Sequence, residues 1–592
     1  MTVARTEPLF LDARAPHPQL LRWKASAEEW EVPEYYDYIV VGGGSSGCVA
    51  AARLVKDAGA RVLLLEAGHS HRHFLLDMPP GIFKMINGSK YMRYHRTVPQ
   101  EHLNGRVHDI PQGHVLGGGS SVNAQVYVRG RPSDYEEWHQ LMRGENDYPG
   151  WRWEHVLPHF RVMEGNNRLN NELHGAEGPL LVSDPQHVND FSRWFVQSLQ
   201  ALGEPYNHDF NGHSQRGVGF YQFMNRKGRR SSAVYAFIEP LAGDPKLTIR
   251  LNAPVHSIEI DNERAVGVRY RDRQGTERRA FADREIILAA GALVTPQLLM
   301  LSGIGPADQL RSLGIDCLID LPGVGENLVD HPEVPIIGIA NGAYGYYRQS
   351  EGWRMILNGL QFKLFGSGPI TSAGVEAGAF VNPRDRNSEP TVQAFCVPII
   401  YLDRDALTLV KNTYGLTVTT VVVKPKSRGF VRLRSADPRE MPLVSPNLLK
   451  DPGDAQEMIA AQRFFLRAFQ TKPLSDRIQE IALPNPDDLS DEAIWKHCTR
   501  HVKTNYHPSG TCRMGATTDR AAVLDSRLRL RGLQNLRICD LSAMPNIVAG
   551  NTNSAAMMLG SRCAELIMAE YASLPKDRLG PYESVALQAR HE

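Results

Sequence analysis

The stretch Tyr38 to Gly68, YIVVGGGSSGCVAAARLVKDAGARVLLLEAG, constrains the chain more than any other. An apolar run from Tyr38 to Val41 reads as a buried strand. It ends in Gly42, and Gly44 and Gly47 complete a G-x-G-x-x-G turn that opens a small-residue helix through Lys56. The first glycine permits the turn, the second lets a pyrophosphate approach the backbone, and the third lets helix and strand pack closely. Ser45 and Ser46 add hydroxyls at the positive end of that helix, where phosphate oxygens meet free N–H groups. Arg61 to Glu66 reads as the next buried strand, and Glu66 follows Gly47 by 19 residues (66 − 47). A carboxylate at that distance takes a ribose hydroxyl, and its charge argues against a 2′-phosphate. The unit therefore predicts a dinucleotide site and disfavours NADP. It leaves NAD and FAD level.

A second glycine-rich segment, PQGHVLGGGSSVNAQVYVRG, spans Pro111 to Gly130. Three glycines and two serines in succession suit neither a helix interior nor a central strand. The flanking Val115, Leu116, Val122, Val126 and Val128 argue against a solvated linker, so the segment is expected to lie against a ligand. His69, His71 and His73 alternate in a loop without a carboxylate or cysteine partner, and no metal site is expected there. Glu285 to Gly291 reads as a buried strand leading into a helix that stops near Gly303 to Gly305. Arg229 to Phe237 reads as the opening of another helix. Val392 to Ile400 and Thr417 to Val423 are β-rich, and Ala455 to Gln470 is helical in pattern. That region is expected to be an antiparallel sheet backed by helices, suited to a substrate domain.

At 592 residues the chain calls for two or three domains. Lys+Arg 66 against Asp+Glu 65 leaves +1, which carries no electrostatic footprint for nucleic acid. No apolar run approaches the ~20 residues of a spanning helix, so no transmembrane segment is expected. The 7 cysteines are scattered, without C-x-x-C spacing, which points to a reducing, cytoplasmic location. The amino end shows no apolar core of an export signal.

The last chemical block is NYHPSGTCRMG, from Asn505 to Gly515. It is followed by a strand ending at Asp540 and by GNTNSAAMMLG, which starts a helix near Gly550. Here the chain resembles the glucose–methanol–choline (GMC) flavoprotein oxidoreductases over roughly residues 34 to 572. Four separated blocks carry the likeness: YIVVGGGSSGCVAAARL with VLLLEAG, GHVLGGGSSVNAQVYVRG, GALVTPQLLMLSGIG, and NYHPSGTCRMG with DLSAMPNIVAGNTNSAAMM. The resemblance implies an α/β fold, with a discontinuous Rossmann-type FAD-binding domain and an α+β substrate domain built on an antiparallel sheet. The expected division is an extension over 1–33 and FAD-domain segments at 34–160, 229–332 and 501–575. Substrate-domain segments fall at 161–228 and 333–500, and a tail at 576–592.

FAD is the implied cofactor. Its expected contacts are Gly42, Gly44, Ser45, Ser46, Gly47 and Glu66, then Gly117, Gly118, Ser121, Asn123, Ala124 and Val126. Val255 through its backbone, Asp540, Asn551 and Thr552 complete the set. His507 matches the family's active-site base and Asn551, 44 residues on (551 − 507), its second active-site residue. A near-neutral histidine suits proton removal from an alcohol, the amide can hydrogen-bond the same oxygen, and the flavin N5 takes the hydride. Two departures stand out. His114 replaces a frequent basic residue, and Val122 replaces the histidine that links FAD covalently in some relatives, so non-covalent FAD is expected. The implied function is oxidation of a small-molecule alcohol, with oxygen or an artificial, quinone or cytochrome acceptor. The alternatives are a lyase or decarboxylase on the same scaffold, or a flavin-binding protein without turnover. Asn505 and Gln125 hint at a hydroxylated or otherwise polar substrate, an aromatic one included, and not a plain alkane chain. Tyr344 to Tyr347 and Trp353 are expected to pack at a domain interface.

Overall fold

The structure, a computed structural model, describes residues 34–144, 148–402 and 412–573. The expected extension over 1–33 and tail over 576–592 lie outside those residues.

Two seven-stranded sheets organise the chain. In the first, Glu34–Val41 lies parallel between Val62–Glu66 and Glu277–Leu288. Leu247–Leu251 extends it in parallel beyond Val62–Glu66, and Leu536–Ile538 pairs in parallel with Glu277–Leu288. Val255–Asp261, Arg264–Arg271 and Glu277–Leu288 form an antiparallel run on the same sheet. All five residues of Val62–Glu66 are buried, as a parallel strand covered on both faces requires. The helix Ser45–Lys56 packs against the carboxy-terminal helix Asn553–Ser573 so closely that a Cβ on Gly560 would lie 2.2 Å from the Ser46 carbonyl oxygen. One sheet is thus assembled from distant parts of the sequence.

The second sheet is antiparallel throughout. Its strands run Ile478–Leu483, Pro332–Ala340, Gly415–Val422, Val392–Val397, Ala377–Val381, Gly217–Phe220, with Lys503–Thr504 added to Pro332–Ala340. The helices Asp190–Ala201 and Pro452–Phe469 cover it, and Phe191, Phe195, Phe464 and Phe465 join the core between them.

Two local readings need correction. Arg229–Arg230 is a short strand, and the following helix is a single π turn over Val234–Ile238. Buried Arg230 accounts for the difference, because its guanidinium donates to the Leu76 and Ser120 carbonyls and to Asn123 Oδ1. Tyr344 packs edge-on against Phe191 and Trp194, but Trp353 is 67% exposed and meets no interface among the described residues.

Candidate active site

The glycine turn is built by close backbone approach. Gly42 has φ +102°, and a Cβ there would stand 2.4 Å from the Ala289 carbonyl oxygen. A Cβ on Gly47 would stand 2.0 Å from the Gly42 carbonyl oxygen, so helix and strand meet only because that position is bare. Glu66 is buried, with Oε2 accepting from Gly43 N at 2.8 Å and Oε1 from Gly68 N at 2.7 Å. Burial still pushes its carboxyl up to about 7. Further donors, such as a ribose diol, would stabilise the carboxylate. The second glycine-rich segment lies directly on the first: Gly117 N donates to Gly43 O at 2.6 Å, and Ser120 N to Ser45 Oγ at 3.2 Å. Ser45 Oγ in turn donates to Asn553 Oδ1 at 2.6 Å, tying in the last helix.

One cavity of about 390 Å³ runs from this cradle to the histidine block. That size falls within the ~300–1,000 Å³ of cofactor and ligand sites. Gly42, Gly44, Ser45, Ser46 and Glu66 line one end, and Asn505, His507, Asn551 and Thr552 another. Gly118, Asn123, Ala124, Val126, Val255 and Asp540 line the wall between. Three residues expected to touch the cofactor do not reach the cavity. Gly47 is spent on helix–strand packing, Gly117 on its bond to Gly43, and Ser121 Oγ donates to the Leu116 carbonyl at 2.8 Å. They shape the cradle from behind. The Asp540 carboxylate is also occupied by protein: Gly291 N, Thr295 Oγ1 and the N and Oγ of Ser542 all donate to it. It locks the GALVTP and DLSAMP segments together, and burial raises its pKa.

The alternating histidines go separate ways. His69 packs its ring on Tyr91 and His114, His71 Nε2 lies 3.0 Å from Glu239, and His73 Nδ1 caps a short helix by accepting from Leu75 N. His114 lines the cavity wall, and burial lowers its pKa to about 4, so it is a neutral group there at pH 7.

His507 is positioned by residues that sequence reasoning missed. Its backbone N–H donates to Asp330 Oδ1 at 3.0 Å, and Tyr506 before it holds a left-handed φ of +64°. Its Nδ1 lies 2.9 Å from His331 Nδ1, while His331 Nε2 lies 2.9 Å from the Val423 carbonyl oxygen. A carbonyl only accepts, so His331 carries its proton on Nε2. Burial drives the His331 pKa down to about 3, so its Nδ1 keeps a lone pair and must accept from His507. His507 is therefore protonated on Nδ1, and its Nε2 holds a lone pair. Burial, then the neighbouring His331, lowers the His507 pKa well below the usual histidine range, so the base form prevails at neutral pH. The hint in the sequence was faint: Asp330-His331-Pro332 repeats the His-Pro pair of His507-Pro508, 176 residues away (507 − 331).

A second chain fixes Asn551 in the same way. Tyr221 OH donates to the Ala394 carbonyl at 3.0 Å, so at Gln393 it must accept, from Nε2 at 3.1 Å. The same Nε2 donates to Asn551 Oδ1 at 3.1 Å. The Asn551 amide consequently turns its NH₂ away from Gln393. Nearby, the buried Gln125 Nε2 and Asn505 Nδ2 find no partner among the described residues, although both residues line the cavity. Donors so placed, together with the glycine cradle and Glu66, fit a group with a pyrophosphate, a ribose and a carbonyl-bearing ring.

This combination of a parallel dinucleotide sheet, an antiparallel second sheet and a shared cavity ending at a neutral histidine defines a dinucleotide-dependent oxidoreductase. Comparison with known proteins agrees. The GMC oxidoreductase profile matches residues 36–333 in its amino-terminal part and 425–560 in its carboxy-terminal part. An "alcohol dehydrogenase [acceptor]" of Pseudomonas putida is 39% identical over 542 residues, covering 90% of this chain and 96% of that protein. The mitochondrial choline dehydrogenase of Homo sapiens is 34% identical over 554 residues, covering 92% of each. Among solved structures, pyridoxine 4-oxidase from Mesorbium loti superposes with TM-score 0.80 at 29% identity, over 90% of this chain and 99% of that one. A formate oxidase of Aspergillus oryzae RIB40 gives 0.82 at 25%, over 92% and 99%. The chain belongs to the GMC oxidoreductase family, and its cofactor is FAD.

Proposed function

We propose that this oxidoreductase converts an alcohol to its carbonyl compound, with His507 Nε2 taking the hydroxyl proton and Asn551 donating to the same oxygen. The observation that supports this most is the hydrogen-bond chain from Val423 O through His331 to His507, which leaves a basic nitrogen on a cavity residue. Bound FAD supplies the two-electron acceptor for the hydride from the carbinol carbon. Gly42, Gly44 and Glu66 would hold its adenosine diphosphate end, and Gly118 to Val126 would lie along its ring system. Apolar Val122 closes the histidine route to a covalent link at that position, and non-covalent FAD is the expectation. Removing the proton builds charge on the alcohol oxygen, which the Asn551 amide stabilises without competing for the proton.

The substrate end of the cavity favours an uncharged alcohol with an apolar body. Phe83, Val375, Phe395, Val397 and Tyr401 line it. Glu333 also lines it, but Lys503 Nζ stands 3.5 Å from that carboxylate and 3.2 Å from the hydroxyls of Tyr401 and Tyr506. The pair cancels the attraction that a lone buried carboxylate would exert on a cation. Neutral aryl or aliphatic alcohols are expected to exceed choline in kcat/KM by about tenfold or more, since one uncompensated charge contact is worth 1–3 kcal/mol. Anaerobic bleaching of the flavin by an alcohol panel tests the reaction, with peroxide assayed beside a dye acceptor to distinguish oxygen from other oxidants. A lyase would leave the flavin oxidised throughout, and that result removes the redox reading.

His331 yields a further expected result. Alanine there frees His507 to place its proton on either nitrogen, and kcat/KM should fall about tenfold, part of the 10²–10⁴ that a positioned base contributes. Glutamine can accept from His507 through Oε1 and donate to Val423 through Nε2, so His331→Gln should recover most of the loss. In the wild type the acid limb of kcat/KM should lie below the ordinary histidine value of ~6.5. Equal rates in the alanine and glutamine variants would show that the tautomer chain is not functional.

A further inference from the structure

The helix Gly352–Phe365 is turned inside out. Trp353, Ile356, Leu357, Leu360 and Leu364 recur at i, i+3, i+4, i+7 and i+11, the stripe that ordinarily faces a core. Here they are 67%, 60%, 53%, 48% and 68% exposed, and no residue of the helix is buried. On the opposite side Phe362 packs under the Arg229 guanidinium, and the other ties to the protein are polar. Arg354 donates to Tyr414 OH at 3.2 Å, Asn358 to the Gln349 carbonyl at 2.9 Å, and Gln361 to Ser367 Oγ at 3.4 Å. A contiguous apolar face of this kind marks an interaction surface.

Charge and position indicate what it meets. Within Gly352–Phe365 the charged residues are exposed Lys363 and half-buried Arg354, with no acid, and the acid at the helix N-cap, Glu351, is paired with Arg348. Two copies packed face to face about a twofold axis would oppose like charges. A bilayer with anionic headgroups attracts them and accepts the tryptophan and leucines, the composition of an interfacial helix. The chain leaving this helix passes through the 3-10 turn Pro369–Thr371 and reaches Ala373 and Val375, which line the cavity. Gly374 between them packs under the Phe83 ring, itself a cavity residue. We propose that this face docks the enzyme on an anionic lipid surface, beside the segment that forms the cavity wall. The inference rests on the helix and is independent of the alcohol reading.

The test is flotation of the full-length holoenzyme with vesicles of phosphatidylglycerol and phosphatidylethanolamine, or of phosphatidylcholine alone. Wild type should rise with the anionic vesicles and much less with phosphatidylcholine. Ile356→Glu/Leu360→Glu should lower the bound fraction at least about tenfold, as expected when an interfacial helix loses its apolar face. Lys363→Glu should lower it less and remove most of its salt dependence. Flavin content and turnover of a water-soluble alcohol should be unchanged in both variants, which separates lost docking from lost folding. Wild type that stays unbound, or a double variant that binds like wild type, overturns the proposal. So does light scattering that shows a dimer dissolved by the double variant, because a second copy would then cover the face.

Discussion

Replacement of His507 by alanine is expected to leave the protein yellow and almost inert towards alcohol. The imidazole ends a chain whose direction is set by two fixed acceptors, the Val423 carbonyl and the neutral His331 ring. Deleting it removes the lone pair placed to take the proton, a contribution of about 10²–10⁴ in rate. The fold should survive. The lost contact leaves the His331 Nδ1 lone pair unpaired at a cost of about 1–3 kcal/mol, a fraction of the stability of a domain. FAD should remain bound, because Gly42 and Gly44 lie in the turn after Glu34–Val41 and Glu66 ends Val62–Glu66, both strands of the first sheet. His507 sits instead in the loop after Lys503–Thr504 of the second. Stopped-flow reduction under nitrogen reads the step directly, and flavin absorbance per protein reads occupancy. A variant that is reduced at the wild-type rate would remove His507 from the base role. One that loses both flavin and rate would place it in the cofactor site instead.

The parts of the fold that could be read from the sequence are those whose causes are local. The Gly42 turn, the helix behind it and Glu66 sit within one strand–helix–strand unit, where periodicity and glycine spacing carry the geometry. The β-rich texture around Val392 to Val423 was also legible, because runs of β-branched and aromatic residues mark strands locally. Both strands are buried along their whole length. What stayed hidden depends on contacts between distant residues. His331 reaches His507 across 176 residues and Gln393 reaches Asn551 across 158. Neither partner stands out in its own segment. Gly117 and Ser121 show the opposite failure: their neighbourhood marks a ligand loop, yet their own polar groups are used on backbone. The helix carrying Trp353 misleads more deeply, since its apolar stripe has the period of a core face and points outward. Periodicity reports that a face is to be covered, not by what.

The second large effect separates the two roles that glycine plays in the turn, and Gly47→Ala and Gly44→Ala should part company. Alanine at Gly47 would place Cβ 2.0 Å from the Gly42 carbonyl oxygen and 3.1 Å from Ala289 Cβ. Backbone cannot yield as a side-chain tip does, so the helix Ser45–Lys56 must shift from the strand it follows. Overpacking of that kind costs about 1–3 kcal/mol or more, and the variant should be less stable even when freed of cofactor. Gly44 differs. Its φ of −77° and ψ of −166° suit alanine, and the nearest atom its Cβ would meet is the Ala289 carbonyl oxygen at an ordinary 3.6 Å. The protein has room there, and the second glycine of the turn is bare for the sake of a pyrophosphate. Gly44→Ala apoprotein should therefore melt within about 0.5 kcal/mol of wild-type apoprotein, yet retain FAD at least about tenfold less tightly. Thermal melts of the stripped proteins and titration with FAD give both quantities. If Gly44→Ala binds FAD as wild type does, the pyrophosphate does not approach the backbone at this turn. The cradle between Gly42 and Glu66 would then be a packing feature of the sheet.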